Sequence, residues 1–291
     1  MKKPGSGRVF FCLRIAGAGD VFLSYRSHGL YAGVMPRPPS SRTVRPAVVA
    51  RSPRHGLARV LSKLGVCSRS QAEQWIRAGR VSLDGRVVRD PYHPTSIDRQ
   101  QVAVDGQSVK PAEYVYVAFN KPRGLVVSAA DEHGRATVYT ALAAAGLPWL
   151  GPVGRLDKAS EGLLLLSNDT TWAAGITNPA THMDKTYHVQ VAGQPDAEVL
   201  AAMLAGVDDA GDLLKARRVT LLRAGEKNAW LAVVLDEGRN RHIRRLLAAL
   251  GFDVLRLIRV SIGPLALGEL AKGQWRQLSA GEVEALDARK G

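Results

Sequence analysis

Four consecutive leucines, Leu163–Leu166, limit what this chain can fold into more than any other feature of its sequence. A strand with one wet face alternates apolar and polar side chains, and an amphipathic helix repeats its apolar side chains every three or four residues. An unbroken apolar run fits neither pattern. It therefore predicts a strand that is buried on both faces, or a short buried helix.

A carboxylate, Asp157, precedes this run, and Gly154 and Gly162 lie on either side of it. Glycine permits a sharp turn and lets a ligand approach the backbone closely. A carboxylate held in this way at the mouth of a buried element is typical of an enzymic nucleophile or base. An ordinary loop aspartate that caps or turns the chain would give the same spacing, so the residues alone leave both interpretations open.

The distribution of charge indicates a polyanionic partner. The chain has 291 residues, enough for two domains with cores, and a formal net charge of +14. Residues 1–54 carry a net charge of +9, residues 55–112 carry +4 and residues 113–291 carry only +1. This asymmetry favours nucleic acid as the partner, with a simple solubility effect as the alternative.

Residues 1–54 are rich in Gly, Pro, Ser and Arg and show little periodicity. They predict a flexible basic arm that attracts phosphates without sequence preference, or else translation starts further along and the segment is partly an artefact. The two cysteines, Cys12 and Cys67, lack metal-ligand and disulfide spacing, which favours a reducing cytoplasm. No apolar run approaches the length of a membrane span, and we expect neither a metal nor a membrane contact.

Residues 55–112 predict two helices on a short sheet. Apolar spacing from Leu57 to Leu64 predicts the first helix, Ser68 is a capping residue for the second, and Asp84-Gly85 is a hairpin turn. Three arginines would form a basic face on this module: Arg69, Arg77 and Arg80. The stretch resembles the S4 domain, a small RNA-binding domain named after a ribosomal protein. The resemblance implies a clamp on folded RNA, and the alternative is a solvated arginine face.

Four later motifs, taken in order, resemble the RsuA-like pseudouridine synthases, which modify ribosomal RNA. The motifs are Asn120–Gly124, Gly154–Asp169, Lys185–Tyr187 and Glu237–Arg245. The resemblance implies an α+β protein whose catalytic domain, residues 113–291, is built on a mixed, mainly antiparallel sheet. It also implies that the protein, as a monomer and without a cofactor, isomerises a specific uridine in ribosomal RNA or in a ribosome assembly intermediate.

The same resemblance implies a role for each residue that matches a motif. Asp157 would be catalytic, whether it attacks the ribose, attacks the ring or deprotonates the ribose. Arg244 would hold that carboxylate in a bidentate fork. Tyr187 would stack on the target base, although a half-buried strand tyrosine is the plainer interpretation. The remaining residues fall into two groups: Lys121 and Lys185 would support the site, and Arg155, Arg241 and Arg245 would contact the RNA.

His242 departs from the pattern of the family, and two other functions compete with the one that the resemblance implies. His242 stands where the family often has Gln, and we expect it to stay neutral beside three arginines. A non-catalytic RNA-binding or ribosome-assembly protein would explain the charge and the S4-like module but not the later motifs. A glycoside hydrolase would pair Asp157 with Asp169 or Glu161, but such an enzyme has no evident use for a basic RNA module.

Overall fold

The computed structural model describes residues 54–129 and 134–287 in full, together with the backbone of residues 10–13, 21–26 and 29–33. The chain divides into two compact units, Met1–Arg51 and Ser52–Gly291. In the first unit the described residues form an antiparallel sheet of three strands: β1 (Phe10–Leu13), β2 (Val21–Arg26) and β3 (Gly29–Gly33). The predicted flexibility of residues 1–54 concerns mainly residues outside those described, and it remains a prediction.

The second unit begins with the predicted two-helix module. Its elements are β4 (His55–Gly56), α1 (Leu57–Lys63), α2 (Arg69–Arg77), β5 (Val81–Leu83), β6 (Arg86–Val87), β7 (Pro94–Thr95), β8 (Val102–Val104) and β9 (Gln107–Ser108). The Ser68 hydroxyl caps α2 by accepting a hydrogen bond from the Gln71 amide at 3.1 Å. The hairpin turn between β5 and β6 is the predicted one, because Asp84 and Gly85 both have positive φ, at 48° and 80°. The helices and this sheet enclose a separate hydrophobic core.

The region predicted to be the catalytic domain is built on one large sheet. Its strands are β10 (Tyr116–Lys121), β11 (Gly151–Val153), β12 (Glu161–Ser167), β13 (Lys185–Ala192), β16 (Arg218–Ala224), β17 (Asn228–Leu235), β18 (Val254–Ile262), β19 (Leu265–Ala266) and β20 (Trp275–Gln277). The strand order is β16-β17-β13-β18-β12-β10-β20, with β11 on β12 and β19 on β18. Among the described strands, only β12 and β18 pair in parallel. The predicted α+β fold with a mixed, mainly antiparallel sheet is confirmed.

Smaller elements cover this sheet and connect its strands. The helices are α3 (Val138–Leu142), α4 (Thr170–Thr177), α5 (Ala197–Ala205), α6 (His242–Ala249) and α7 (Ala280–Ala285), and a separate hairpin is formed by β14 (Val207–Asp209) and β15 (Asp212–Leu214). Short 3₁₀ turns occupy Ala143–Ala145 and Pro179–Thr181. None of the helices in the described part of the chain is long and apolar enough to cross a membrane.

The four leucines form the doubly buried strand, β12, and not a helix. All four side chains are 0% exposed. Leu164 and Leu166 pack into the core on one face of the sheet, and Leu163 and Leu165 pack on the other face with Trp172 of α4. An unbroken apolar run is therefore explained by two cores that share one strand.

Gly162 is required by the neighbouring strand. Its φ is +100°, and an added Cβ would overlap the carbonyl oxygen of Arg259 on β18 and lie 2.8 Å from the Arg259 amide nitrogen. The sequence left open whether a glycine here permits a sharp turn or makes room for a ligand. The structure shows instead that Gly162 makes room for the parallel contact between β12 and β18.

Candidate active site

A cavity of about 400 Å³ lies beside the loop between β11 and β12. Parts of that loop, of β13, of β18 and of the segment from β17 into α6 line it. Six of the residues singled out from the sequence lie on its wall: Asp157, Tyr187, Arg244, Lys185, Arg155 and Arg241. Motifs that are up to about ninety positions apart in the chain therefore meet at one cavity.

The loop that carries Asp157 is anchored at several points. Gly154, at its start, has a φ of +77°, a conformation that suits glycine. The carbonyl of Asp157 accepts a hydrogen bond from the Ser160 amide at 3.0 Å, and the carbonyl of Lys158 accepts one from the Gly124 amide at 2.8 Å. The half-buried Asp157 side chain is thus presented to the cavity by a turn with a defined backbone.

Lys121 lies beneath this loop and outside the cavity. Its side chain is completely buried, and its Nζ donates hydrogen bonds to the carbonyls of Ser160 at 2.7 Å and Pro122 at 3.1 Å. Burial lowers the pKa of Lys121 to about 8, and attraction from Glu161 and Asp157 partly opposes this change. The ammonium group therefore braces the turn that follows Asp157.

Arg244 does not grip Asp157 in the bidentate fork predicted from the sequence. Its Nη1 donates to the carbonyl of Val254 at 3.2 Å, and its Nη2 donates to the carbonyl of Ala159 at 3.3 Å. No ion pair joins Arg244 to Asp157, both of which the structure describes. Burial lowers the pKa of Arg244, repulsion from Arg241 adds to this, and attraction from Asp157 opposes it. Arg244 is consequently fixed to the Asp157 loop through the backbone.

Tyr187 and Lys185 reach the cavity from β13. Burial alternates along this strand, and Tyr187 is 9% exposed. Lys185 is half-buried, and burial together with repulsion from Arg259 lowers its pKa. Attraction from Asp184 and Asp236 opposes that lowering. Arg155 and Arg241 are exposed beside the same cavity, and Arg241 precedes α6 with a φ of +50°.

Arg245 and His242 differ from the other residues of their motif. Arg245 lies off the cavity and pairs with the carboxylates of Asp209 and Asp212. His242 does line the cavity but is buried, and its Nδ1 lies 3.9 Å from a Glu237 carboxylate oxygen. Burial is the main cause of a lowered pKa for His242, so the ring is neutral at pH 7, as expected from the sequence.

The two carboxylates considered as partners of Asp157 are engaged elsewhere. Asp169 caps α4 by accepting from the amides of Thr171 and Trp172, each at 3.0 Å. Glu161 is buried against Arg256 at 2.8 Å and Lys272 at 2.5 Å, and these contacts lower its pKa to about 2. Neither carboxylate lines the cavity. The geometry therefore gives no support to the glycoside hydrolase alternative in the form predicted.

The three arginines of the two-helix module are all exposed. Arg77 pairs with Glu73 at 3.1 Å, one turn away on α2. Arg80 pairs with Asp105 and also lies over the ring of Trp75, with 4.9 Å between its Cζ and the ring centroid. Arg69 has the least constrained guanidinium of the three.

Two charged residues of the cavity wall, Asp236 and Arg259, lie outside the motifs singled out from the sequence. Arg259 is 4% exposed. It lies on β18 two positions after Leu257, and both side chains are buried. An arginine at an inward position of an alternating strand was the available signal.

Comparisons with known proteins agree with this architecture. The family model described as RNA pseudouridylate synthase matches residues 115–249, and that of the S4 domain matches residues 56–94. An uncharacterised RNA pseudouridine synthase of Aquifex aeolicus is 37% identical over 228 residues, which are 78% of this chain and 91% of that protein. The ribosomal large subunit pseudouridine synthase B of Bacillus subtilis is 35% identical over 236 residues, 80% of this chain and 95% of that protein.

A solved structure shows the same fold. The crystal structure of a pseudouridylate synthase aligns with a TM-score of 0.54 and 30% identity, over 81% of this chain and all of that one. The relatives match over nearly their whole length, and an S4 domain precedes the matched catalytic region. These two findings identify the family. The chain belongs to the RsuA-like RNA pseudouridine synthases that carry an S4 domain, enzymes that isomerise uridine in RNA.

Proposed function

We propose that this enzyme converts one specific uridine of ribosomal RNA to pseudouridine, with Asp157 as its catalytic carboxylate. The observation that carries the proposal is the cavity on which Asp157, Tyr187 and Arg244 meet. The S4 domain and the ribosomal substrate named for the Bacillus subtilis relative support ribosomal RNA as the target. We place the enzyme in the cytoplasm, because ribosomal RNA and its assembly intermediates occur there. We also propose that it acts as a monomer.

The reaction needs a catalytic group beside the target nucleoside that assists cleavage of its glycosidic bond. The bond from C1′ to the ring nitrogen N1 breaks, the detached base turns, and a bond forms from C1′ to C5. The proton on C5 then leaves and N1 gains one, so that no atom is added or lost. A carboxylate can act as nucleophile or as base in such steps. Asp157 meets this need whether it attacks the ribose, attacks the ring or deprotonates the ribose.

Tyr187 and the size of the cavity suit a base that has left its helix. A uridine inside a stem cannot enter such a cavity, so the target must be unpaired or flipped. A cavity of about 400 Å³ is large enough for a nucleoside. In this proposal Tyr187 stacks on the uracil ring, and the exposed Arg155 and Arg241 take the flanking phosphates.

Arg244 acts on Asp157 by positioning it. Its hydrogen bond to the Ala159 carbonyl fixes the turn two residues after Asp157, and its charge lies close enough to attract the carboxylate. Lys121 holds the same turn from below through Ser160, and Lys185 supplies positive charge inside the cavity. Arg244 and Lys121 together hold the loop in place before RNA binds.

Contacts to the rest of the RNA are assigned mainly to the S4 domain. Arg69 is exposed and available for a phosphate, and Arg77 and Arg80 would exchange their carboxylate partners for phosphates. Arg245 remains a prediction as an RNA contact, because its pairs with Asp209 and Asp212 favour a structural role.

The test is Asp157→Asn, with Asp253→Asn as the matched control, since Asp253 is an exposed aspartate off the cavity. Pseudouridines are mapped in the ribosomal RNA of a strain that lacks the protein and in strains that carry each variant. We expect one site to be lost, to return with Asp253→Asn and to stay absent with Asp157→Asn, while purified Asp157→Asn still binds RNA. Unchanged modification with Asp157→Asn would remove Asp157 from the mechanism, and an unchanged map in the deletion strain would favour a non-catalytic RNA-binding protein.

A second experiment separates positioning from binding. Arg244→Ala removes the hydrogen bond to Ala159, and displacement of a catalytic group by about 1 Å can reduce the rate roughly 100-fold. We therefore expect turnover to fall by about that factor, with a much smaller change in the dissociation constant for RNA. Equal losses in turnover and affinity would assign Arg244 to RNA binding.

A further inference from the structure

Arg259 is a buried cation without a matching anion. Its side chain is 4% exposed, lines the cavity, and donates from Nε to the carbonyl of Leu163 at 2.7 Å. Its Nη2 is buried without a hydrogen-bond partner, and no carboxylate lies within ion-pair distance, among the residues that the structure describes. Leaving a buried guanidinium unsatisfied is unfavourable, so its place on a cavity wall points to a ligand that completes its hydrogen bonds.

Lys185 adds to the positive charge at this part of the cavity. Lys185 and Arg259 line the same cavity from the paired strands β13 and β18, and repulsion between them contributes to the lowered pKa of Lys185. The acidic residues nearest to Lys185 have other partners: Asp184 pairs with Arg217 at 2.7 Å, and Asp236 with His182 at 3.3 Å. The inner wall of the cavity is therefore suited to partial negative charge on a ligand.

The sheet register indicates which part of a nucleotide would reach Arg259. Arg259 on β18 lies directly opposite Tyr187 on β13, and both side chains line the cavity. A base stacked on Tyr187 would present its edge to Arg259. Phosphates carry a full charge and a hydration shell, and they fit better at the exposed Arg155 and Arg241 than at a side chain that is 4% exposed.

We infer that Arg259 donates a hydrogen bond to a carbonyl oxygen of the bound uracil and so holds the ring while its bond to the ribose is exchanged. This inference rests on the proposed function. When the C1′–N1 bond breaks, its electron pair stays with the base and spreads onto the two carbonyl oxygens. Attack on C6 of the ring places negative charge on O4, one of these two oxygens. A guanidinium at O4 is therefore useful whichever role Asp157 plays, and one at O2 is useful when the ribose is attacked or deprotonated.

The experiment combines a side-chain change with a change of the substrate atom. RNA that contains the mapped target uridine is compared with RNA that carries 2-thiouridine or 4-thiouridine at that position, because sulfur is the weaker hydrogen-bond acceptor. Wild type, Arg259→Lys and Arg259→Met are measured in single turnover, with Arg223→Met as the control. Arg223 lies on β16 of the same sheet, away from the cavity.

We expect one of the two thio substitutions to slow wild type and Arg223→Met about tenfold or more, which is the value of a hydrogen bond to a charged group. The Arg259 variants should be slower by a similar factor on normal RNA and show no further loss with that thio substitution. The thio substitution that slows wild type identifies whether Arg259 donates to O2 or to O4 of the uracil. Arg259→Lys keeps the charge and serves if Arg259→Met fails to fold.

Failure of the inference and failure of the proposed function would give different results. An Arg259 variant that is as sensitive to both thio substitutions as wild type, or as fast as wild type on normal RNA, overturns the inference and leaves the proposed function intact. Absence of pseudouridine with wild type itself overturns the proposed function. A purely structural role for Arg259 would lower the melting temperature without changing the response to sulfur.

Discussion

Replacement of Gly162 by alanine tests the parallel contact at the centre of the sheet. Two penalties can be separated. A side chain at positive φ costs roughly 1–2 kcal/mol, and the φ of Gly162 is +100°. The new Cβ would also overlap the Arg259 carbonyl, and because backbone of a buried strand cannot move aside cheaply, overpacking adds about 1–3 kcal/mol. We expect Gly162→Ala to lower the free energy of unfolding by about 2–5 kcal/mol.

Gly251→Ala is the matched control. Gly251 has a φ of +83° in the same domain, but nothing lies within 4 Å of an added Cβ. It should show only the conformational penalty of about 1–2 kcal/mol. Urea denaturation monitored by tryptophan fluorescence measures both variants. Their expected difference is the overpacking penalty of about 1–3 kcal/mol, which at a slope near 3 kcal/mol per molar separates the midpoints by roughly 0.3–1 M. Equal losses for the two variants would refute the argument that β18 requires a glycine opposite it.

Three further changes probe charged residues outside the cavity. Burial lowers the pKa of Lys121 to about 8 from its ordinary value of 10.5, so the unfolded chain binds more protons than the folded protein between these pH values. Urea titrations should therefore show the unfolding free energy of wild type rising, relative to Lys121→Met, from pH 8 to 10.5. Glu161 has its pKa lowered to about 2 from 4.5, so the advantage of wild type over Glu161→Gln, about 1.5–3 kcal/mol above pH 4.5, should disappear as the pH falls to 2. Asp169→Ala removes the cap of α4 and should lower the unfolding free energy by about 1–2 kcal/mol, while pseudouridine formation continues. A complete loss of activity in a folded variant would instead support a pair of catalytic carboxylates, Asp157 and Asp169.

Local patterns in the sequence were sufficient for much of the fold. Helix α1, the cap at Ser68 and the Asp84-Gly85 turn depend on neighbours within a few residues, and each was predicted correctly. The leucine run left strand and helix open, because that choice depends on partners 40 to 100 residues away. The S4 and catalytic regions could be placed because their motifs stand in family order.

The details of the site required the tertiary structure. Arg244 was matched to the right loop but to the wrong acceptor, since the sequence does not show that the carbonyls of Ala159 and Val254 come within reach of its guanidinium. Arg259 belongs to none of the four motifs that matched the family. Its position on the cavity depends on the pairing of β18 with β13, which joins segments about 70 residues apart.

The position of β20 has a consequence for how the nascent chain folds. β10, near residue 120, pairs with β20, near residue 276, and the Trp172 indole donates to the Val283 carbonyl of α7 at 3.1 Å. The S4 core draws only on residues between 57 and 109, so it can close early in synthesis. The catalytic sheet keeps one edge open until the residues near 276 leave the ribosome, and over that interval β10 is a strand edge at risk of pairing with another chain.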